Sequence, residues 1–259
     1  MNTDFTYCGA VLEDLGLMPE GSLSTFVVGS MARGWASPAS DIDFVIVTTE
    51  EFSDERAFSL DVPLDPPAVP TVAFRHEDRR WELKYWLESQ VDQLFDKISW
   101  EAFDQDQKVG DRLTEVEVVF LERLVTCLPV RGDDWIQRRR DQLEASAFRS
   151  ILVMQALTKA DEKVETALSQ LAGDDPESGV LSARDAFGWA MDALLISHGE
   201  YGALVKWRAR RFRAAAPKLL SFEEYWSYET MRTYDPSKPG NWIEAVARLC
   251  KKVSMEVEI

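Results

Sequence analysis

Two carboxylates one residue apart, Asp41 and Asp43, follow a Gly-Ser pair, Gly29 and Ser30, with ten residues between. They stand in Val27-Val28-Gly29-Ser30-Met31-Ala32-Arg33-Gly34 and in Ser40-Asp41-Ile42-Asp43-Phe44-Val45-Ile46-Val47. An apolar run ends in Gly-Ser, a polar turn follows, and a second apolar run opens with the two acids. In a strand, residues i and i+2 project from the same face, so Asp41 and Asp43 would point together. Two anions held that close repel, and a divalent cation relieves the repulsion. An all-oxygen donor set suits Mg²⁺, with Mn²⁺ as substitute, rather than zinc. Gly29 lets a ligand approach the backbone where a Cβ would intrude. Ser30 offers a hydroxyl, and the helix start behind it offers free N–H groups to a phosphate. One short unit thus supplies a phosphate cradle and a metal site.

The string Gly29-Ser30-Met31-Ala32-Arg33-Gly34 followed by Ser40-Asp41-Ile42-Asp43 resembles the core motif of the DNA polymerase β-like nucleotidyltransferases. Its nearest likeness is to the minimal and aminoglycoside members of that superfamily. The specific part spans about 20 residues. The resemblance implies transfer of a nucleoside monophosphate, AMP first in line, from ATP or another nucleoside triphosphate, with two Mg²⁺ ions and release of pyrophosphate. It also implies a third metal-binding carboxylate on a later strand. Glu82 matches by order and surroundings, with Glu88 in reserve. Gly29, Ser30 and Arg33 take the nucleotide-binding positions. Family members clamp the triphosphate with a basic residue from a helical domain. Residues 201–222 hold Lys206, Arg208, Arg210, Arg211, Arg213 and Lys218 and no acid, so Lys206 is the candidate. Some members take the acceptor proton with a helical-domain carboxylate, for which Asp192 and Glu200 are the candidates. An ion pair with a neighbouring arginine is the competing reading of Asp192.

These residues need elements to hold them. Tyr7 to Leu17 has apolar residues near helical spacing. Residues 24–29 and 41–48 read as strands, and 50–68, acidic and proline-rich, as a surface loop. Thr71 to Phe74 is a strand. Arg80 to Leu87 is a second, with Glu82, Lys84 and Trp86 on one face and Trp81, Leu83 and Tyr85 on the other. Residues 89–98 and 113–128 have helical spacing. The break at Leu128-Pro129-Val130-Arg131-Gly132-Asp133 places a domain boundary between 130 and 131. Beyond it, Asp134 to Leu171 is one long helix or two, and Val180 to His198 is a helix apolar enough to sit inside a bundle. Phe222 to Met231 and Trp242 to Val253 supply two more. The fold class is therefore α+β. The resemblance implies that a nucleotidyltransferase domain with a mixed sheet (1–130) is followed by a helical bundle (131–259) that contributes acceptor and triphosphate contacts.

Charge narrows the function. The chain of 259 residues carries 29 basic and 45 acidic side chains, a net charge of −16. Residues 1–130 hold 10 of the basic and 25 of the acidic ones, so the excess acid sits with Asp41 and Asp43. Such a surface repels a nucleic-acid backbone, which excludes a nucleic-acid partner, and it suits a neutral or cationic small-molecule hydroxyl acceptor, an aminoglycoside or a natural product. A protein-modifying adenylyltransferase of the antitoxin type and an inactive nucleotide-binding regulator are the alternatives. The ~130-residue helical half speaks against the first and the intact acids against the second. Three scattered cysteines read as reduced thiols of a cytoplasmic protein, a monomer or homodimer, with no membrane span or signal peptide.

Overall fold

The computed structural model describes residues 5–105, 112–202 and 204–258. It divides into two compact units, one ending at Ser146 and the other running from Ala147. The break at 128–133 is thus not the boundary expected at 130/131. Leu128–Arg131 forms a strand instead, and the helix after it packs with the sheet.

The first unit is built on six strands: β1 (Ser22–Val28), β2 (Ile42–Thr48), β3 (Phe58–Asp61), β4 (Ala68–His76), β5 (Arg79–Leu87) and β6 (Leu128–Arg131). They lie in the order β3-β4-β5-β2-β1-β6. Only β2 and β5 run parallel; the other neighbouring pairs are antiparallel. The sheet is mixed, as expected. β3 lies within the stretch read as a loop. Its residues are largely exposed at the sheet edge, so no buried alternation marks them, and a proline-rich loop is all that composition shows.

Alternation sorts the two sheet faces. Phe44 and Ile46 of β2 and Trp81, Leu83 and Tyr85 of β5 join Phe5, Cys8, Leu12 and Leu17 in a buried core under α1 (Thr6–Asp14). Tyr85 seals it by donating its hydroxyl to the Leu17 carbonyl at 2.9 Å. Short α2 (Gly29–Ala32) follows β1 directly. The opposite face meets α5 (Glu115–Thr126) and α6 (Asp133–Glu144). There Trp86 packs on Phe120 with ring centres 4.4 Å apart, and Phe26 stacks on Trp135 at 6.3 Å. Helix α6 is fastened to α5 by Arg140, which donates to the carbonyls of Leu124 and Cys127 at 2.8 and 2.6 Å. Helices α3 (Glu88–Lys97) and α4 (Trp100–Gln105) complete the described part of this unit.

In the second unit, the long helical stretch resolves into two, α6 above and α7 (Phe148–Ala172) here. They are followed by α8 (Pro176–Ser197), a single 3-10 turn at Val205–Trp207, α9 (Arg208–Ala215), α10 (Phe222–Glu229) and α11 (Pro239–Glu256). Helix α8 packs against α7, α9, α10 and α11 and is buried from Phe187 to Ile196 but for Trp189, as its apolar sequence requires. No described helix is long and apolar enough to cross a membrane. Cys8, Cys127 and Cys250 are free and buried.

Candidate active site

The single parallel strand pair places the acids. In its register Asp43 of β2 lies beside Glu82 of β5, and Asp43 also lies opposite Val28, the last residue of β1. Asp43, Val45 and Val47 therefore share a face with Glu82, Lys84 and Trp86, the face opposite the α1 core. The chain leaves β1 through Gly29 at φ +72°, a left-handed conformation that a side chain resists. A Cβ there would sit 2.6 Å from Asp43 Oδ2. Gly29 thus does two jobs. It turns the chain sharply into α2, and it leaves room for the Asp43 carboxylate against the backbone.

Electrostatics differ among the three acids. Burial raises Asp43 above the usual carboxylate range, and Glu82 and Asp41 add to the rise while Arg123 and Lys84 oppose it. Burial raises Glu82 as well, but Lys84, Arg80 and Arg123 outweigh it and leave that carboxyl below its ordinary value. Lys84 donates to Glu82 Oε1, and Arg80 lies 3.4 Å from Oε2. Arg80 also reaches Asp41 Oδ2 at 3.8 Å, on a side chain that is 44% exposed. Basic side chains thus pair with the outer two acids, while at Asp43 burial outweighs the influence of Arg123 and Lys84.

This donor set fits a hard divalent cation in its chemistry. It is all carboxylate oxygen, and Asp43 is held where only a Cβ-less residue leaves it space. As placed, no three His, Cys, Asp or Glu side chains among the described residues are grouped closely enough to hold an ion. Glu82 is engaged by Lys84 and Arg80, and taking up a cation would require it to exchange those partners.

The remaining candidates are distributed as follows. Ser30 lies in the first turn of α2. Arg33 caps that helix and lies over the Trp35 ring at 4.6 Å. Glu88 opens α3 and accepts from Trp135 Nε1 at 3.0 Å and Arg139 Nη2 at 3.2 Å, which ties α3 to α6 and gives it a structural task. In the second unit Lys206 is exposed, with its ammonium 5.2 Å from the centre of the Trp207 ring. Asp192 does not suit the role of general base. It is 7% exposed, and its two oxygens take Arg208 at 2.8 Å and Arg211 at 2.7 Å. The ion-pair reading is the one the geometry bears out, and it removes Arg208 and Arg211 from any solvated basic face. The Glu200 carbonyl accepts from Arg211 at 2.6 and 3.0 Å.

Two basic residues near the acids escaped the sequence reading, Arg80 and Arg123. Arg123 shares a helical stripe with Val116, Val119 and Phe120, and that spacing on an otherwise apolar face was the available signal.

Comparison with known proteins agrees with the fold of the first unit. The family model described as a nucleotidyltransferase domain matches residues 12–121. A solved structure, a nucleotidyltransferase-like protein from Exiguobacterium sibiricum, superposes with a TM-score of 0.51 over 98% of this chain and 75% of that one. At 9% identity the likeness is one of fold. No curated protein matches the sequence.

Proposed function

We propose, from the match of residues 12–121 to a family model described as a nucleotidyltransferase domain, that the protein moves a nucleoside monophosphate, AMP first in line, from a nucleoside triphosphate to a hydroxyl of a small molecule. The observation that supports this reading is the register pairing of Asp43 with Glu82 across the parallel strands, with the Asp43 carboxylate seated on Gly29.

The reaction is an in-line displacement at the α-phosphorus. The acceptor oxygen forms a bond to phosphorus, the bond to the bridging oxygen breaks, and pyrophosphate leaves with that electron pair. The hydroxyl proton passes to solvent or to a base. Bound Mg²⁺ would neutralise the phosphate oxygens and lower the barrier to an approaching oxygen nucleophile. Asp41, Asp43 and Glu82 are the residues to hold it. Asp43 is the anchor, because its buried charge gains most from a cation. Gly29 and Ser30 present backbone N–H groups and a hydroxyl to the phosphates. Arg80 and Lys84 balance the acids before the cation is taken up. Lys206 is proposed to add positive charge to the leaving pyrophosphate.

The test is direct. The protein is incubated with Mg²⁺, each α-labelled triphosphate in turn and a panel of hydroxyl acceptors that includes aminoglycosides and hydroxy acids. A labelled small product with equimolar pyrophosphate supports the reading. Label on the protein itself or on a partner protein transfers it to the protein-modifying class.

A further inference from the structure

A cavity of ≈ 150 Å³ lies in the first unit, between the sheet face that carries the acids and helix α5. Val45, Lys84 and Trp86 line it from the sheet, and Val116, Val119, Phe120 and Arg123 from the helix. Val45 and Lys84 stand two residues beyond Asp43 and Glu82 on the same strands and face, a step of about 7 Å. The cavity therefore lies on the same sheet face as the candidate site, one step further along the same two strands.

Its polar groups are unusual. Buried donors in folded proteins nearly always have partners. Among the described residues, Trp86 Nε1 and Arg123 Nη1 are buried with none, and both residues line this cavity. The guanidinium of Arg123 influences both Asp43 and Glu82, so it is close to the acids without being spent on an ion pair. Lys84 also lines the cavity, with its ammonium paired to Glu82. The rest of the wall is aliphatic or aromatic, and Glu115 is exposed at the margin.

We propose that this cavity is the acceptor subsite and that it takes a small hydroxy acid with an apolar body. The acidic group accepts from Arg123 and Trp86, the body fills the apolar wall, and the hydroxyl extends along the strands toward Asp43 and Glu82. The volume matches a single benzene-sized ring. The Arg123 guanidinium, unpartnered at Nη1, and the unpartnered Trp86 donor select an oxyanion and reject an amine. The acceptor is thus an anion despite the acidic surface of this half of the chain, and polycationic acceptors are the wrong class. The word acceptor rests on the nucleotidyl-transfer reading; the binding of the oxyanion does not.

The probes are benzoate, benzyl alcohol and benzylammonium, titrated against the full chain by ligand-observed NMR and calorimetry. Benzoate is expected to bind at least tenfold tighter than the other two. Arg123→Met should weaken benzoate at least tenfold and leave benzyl alcohol unchanged. Val119→Phe, which fills the cavity, should exclude all three, and each variant is first shown to melt cooperatively. If Val119→Phe does not fold, the Arg123→Met result decides. Benzylammonium binding as well as benzoate, no binding by any probe, unchanged benzoate affinity in Arg123→Met, or displacement of benzoate by adenosine would each overturn the proposal. Transfer from α-labelled triphosphate is measured separately. Benzoate binding of the expected pattern with no transfer to any hydroxy acid would sink the transfer reading and keep the oxyanion site. Transfer to aminoglycosides alone would do the reverse.

Discussion

Replacing Gly29 by alanine separates the two jobs of that residue, because Gly34 supplies a matched control. Both glycines have left-handed φ, +72° and +65°. A Cβ on Gly34 meets nothing within 4 Å, whereas one on Gly29 lies 2.6 Å from Asp43 Oδ2. The conformational cost is shared, about 1–2 kcal/mol for an L side chain held there. In a domain of this size that lowers the melting temperature by roughly 2–8 °C. Only Gly29→Ala adds a clash. Ordinary contact begins at 3.4 Å, so the Asp43 carboxylate must retreat by roughly 0.8 Å. A displacement on the order of 1 Å at a catalytic group costs ~100-fold in rate. The expected result is a similar loss of stability for both variants and a ~100-fold loss of label transfer for Gly29→Ala alone. Mn²⁺ is expected to raise the melting temperatures of the wild type and of Gly34→Ala alike, and that of Gly29→Ala less. Equal activity in the two variants would refute the account of how Asp43 is seated.

Asp43→Asn should abolish transfer, yet the cation-free variant should melt no lower than wild type at neutral pH. The folded state raises the Asp43 carboxyl, so its contribution to stability is complete below the ordinary aspartate range and is lost as pH rises through the folded value. Melting curves at pH 4 and pH 8 should therefore favour the variant more at pH 8. Glu82→Gln should slow transfer steeply while sparing triphosphate affinity, measured by calorimetric titration. Lys206→Ala should weaken a non-hydrolysable triphosphate more than the monophosphate, by about 1.5–3 kcal/mol, the scale of a charge-assisted hydrogen bond. Asp192→Ala should cost ~3–5 kcal/mol in denaturant unfolding, because it removes the carboxylate shared by two buried guanidinium groups; a marginal loss of stability with a large loss of rate would return Asp192 to the catalytic list.

Much of the site was legible because its signals are local. The step from Gly29-Ser30 to Asp41-Ile42-Asp43 is a strand-turn-strand written in adjacent residues, and alternation within Arg80 to Leu87 assigns Glu82 its face without tertiary information. What sequence could not show was non-local. The parallel register that sets Asp43 beside Glu82 joins strands separated by a hairpin and a loop. Strand β6 follows a helix-like run and contains Pro129, and a proline is tolerated in a sheet only at an edge, which is where β6 lies. Residues 201–222 read as a basic face because Asp192, the acid that takes Arg208 and Arg211, lies 16 and 19 positions before them. Only the packing of α9 on α8 turns that stretch into a buried ion pair. Arg123 was hidden for the opposite reason: its neighbours are apolar, and a single charge on a greasy helix does not announce a cavity.

The reaction proposed is transfer of the α-phosphoryl group with its nucleoside, carried out through Asp43. The most direct measurement is a paired incubation of wild type and Asp43→Asn with α-labelled and γ-labelled triphosphate, Mg²⁺ and the hydroxyl-acceptor panel. The expected result is α-label on an acceptor, γ-label only in pyrophosphate, and neither above background in the variant. Label from the γ-position on the acceptor, or undiminished transfer by Asp43→Asn, would contradict it.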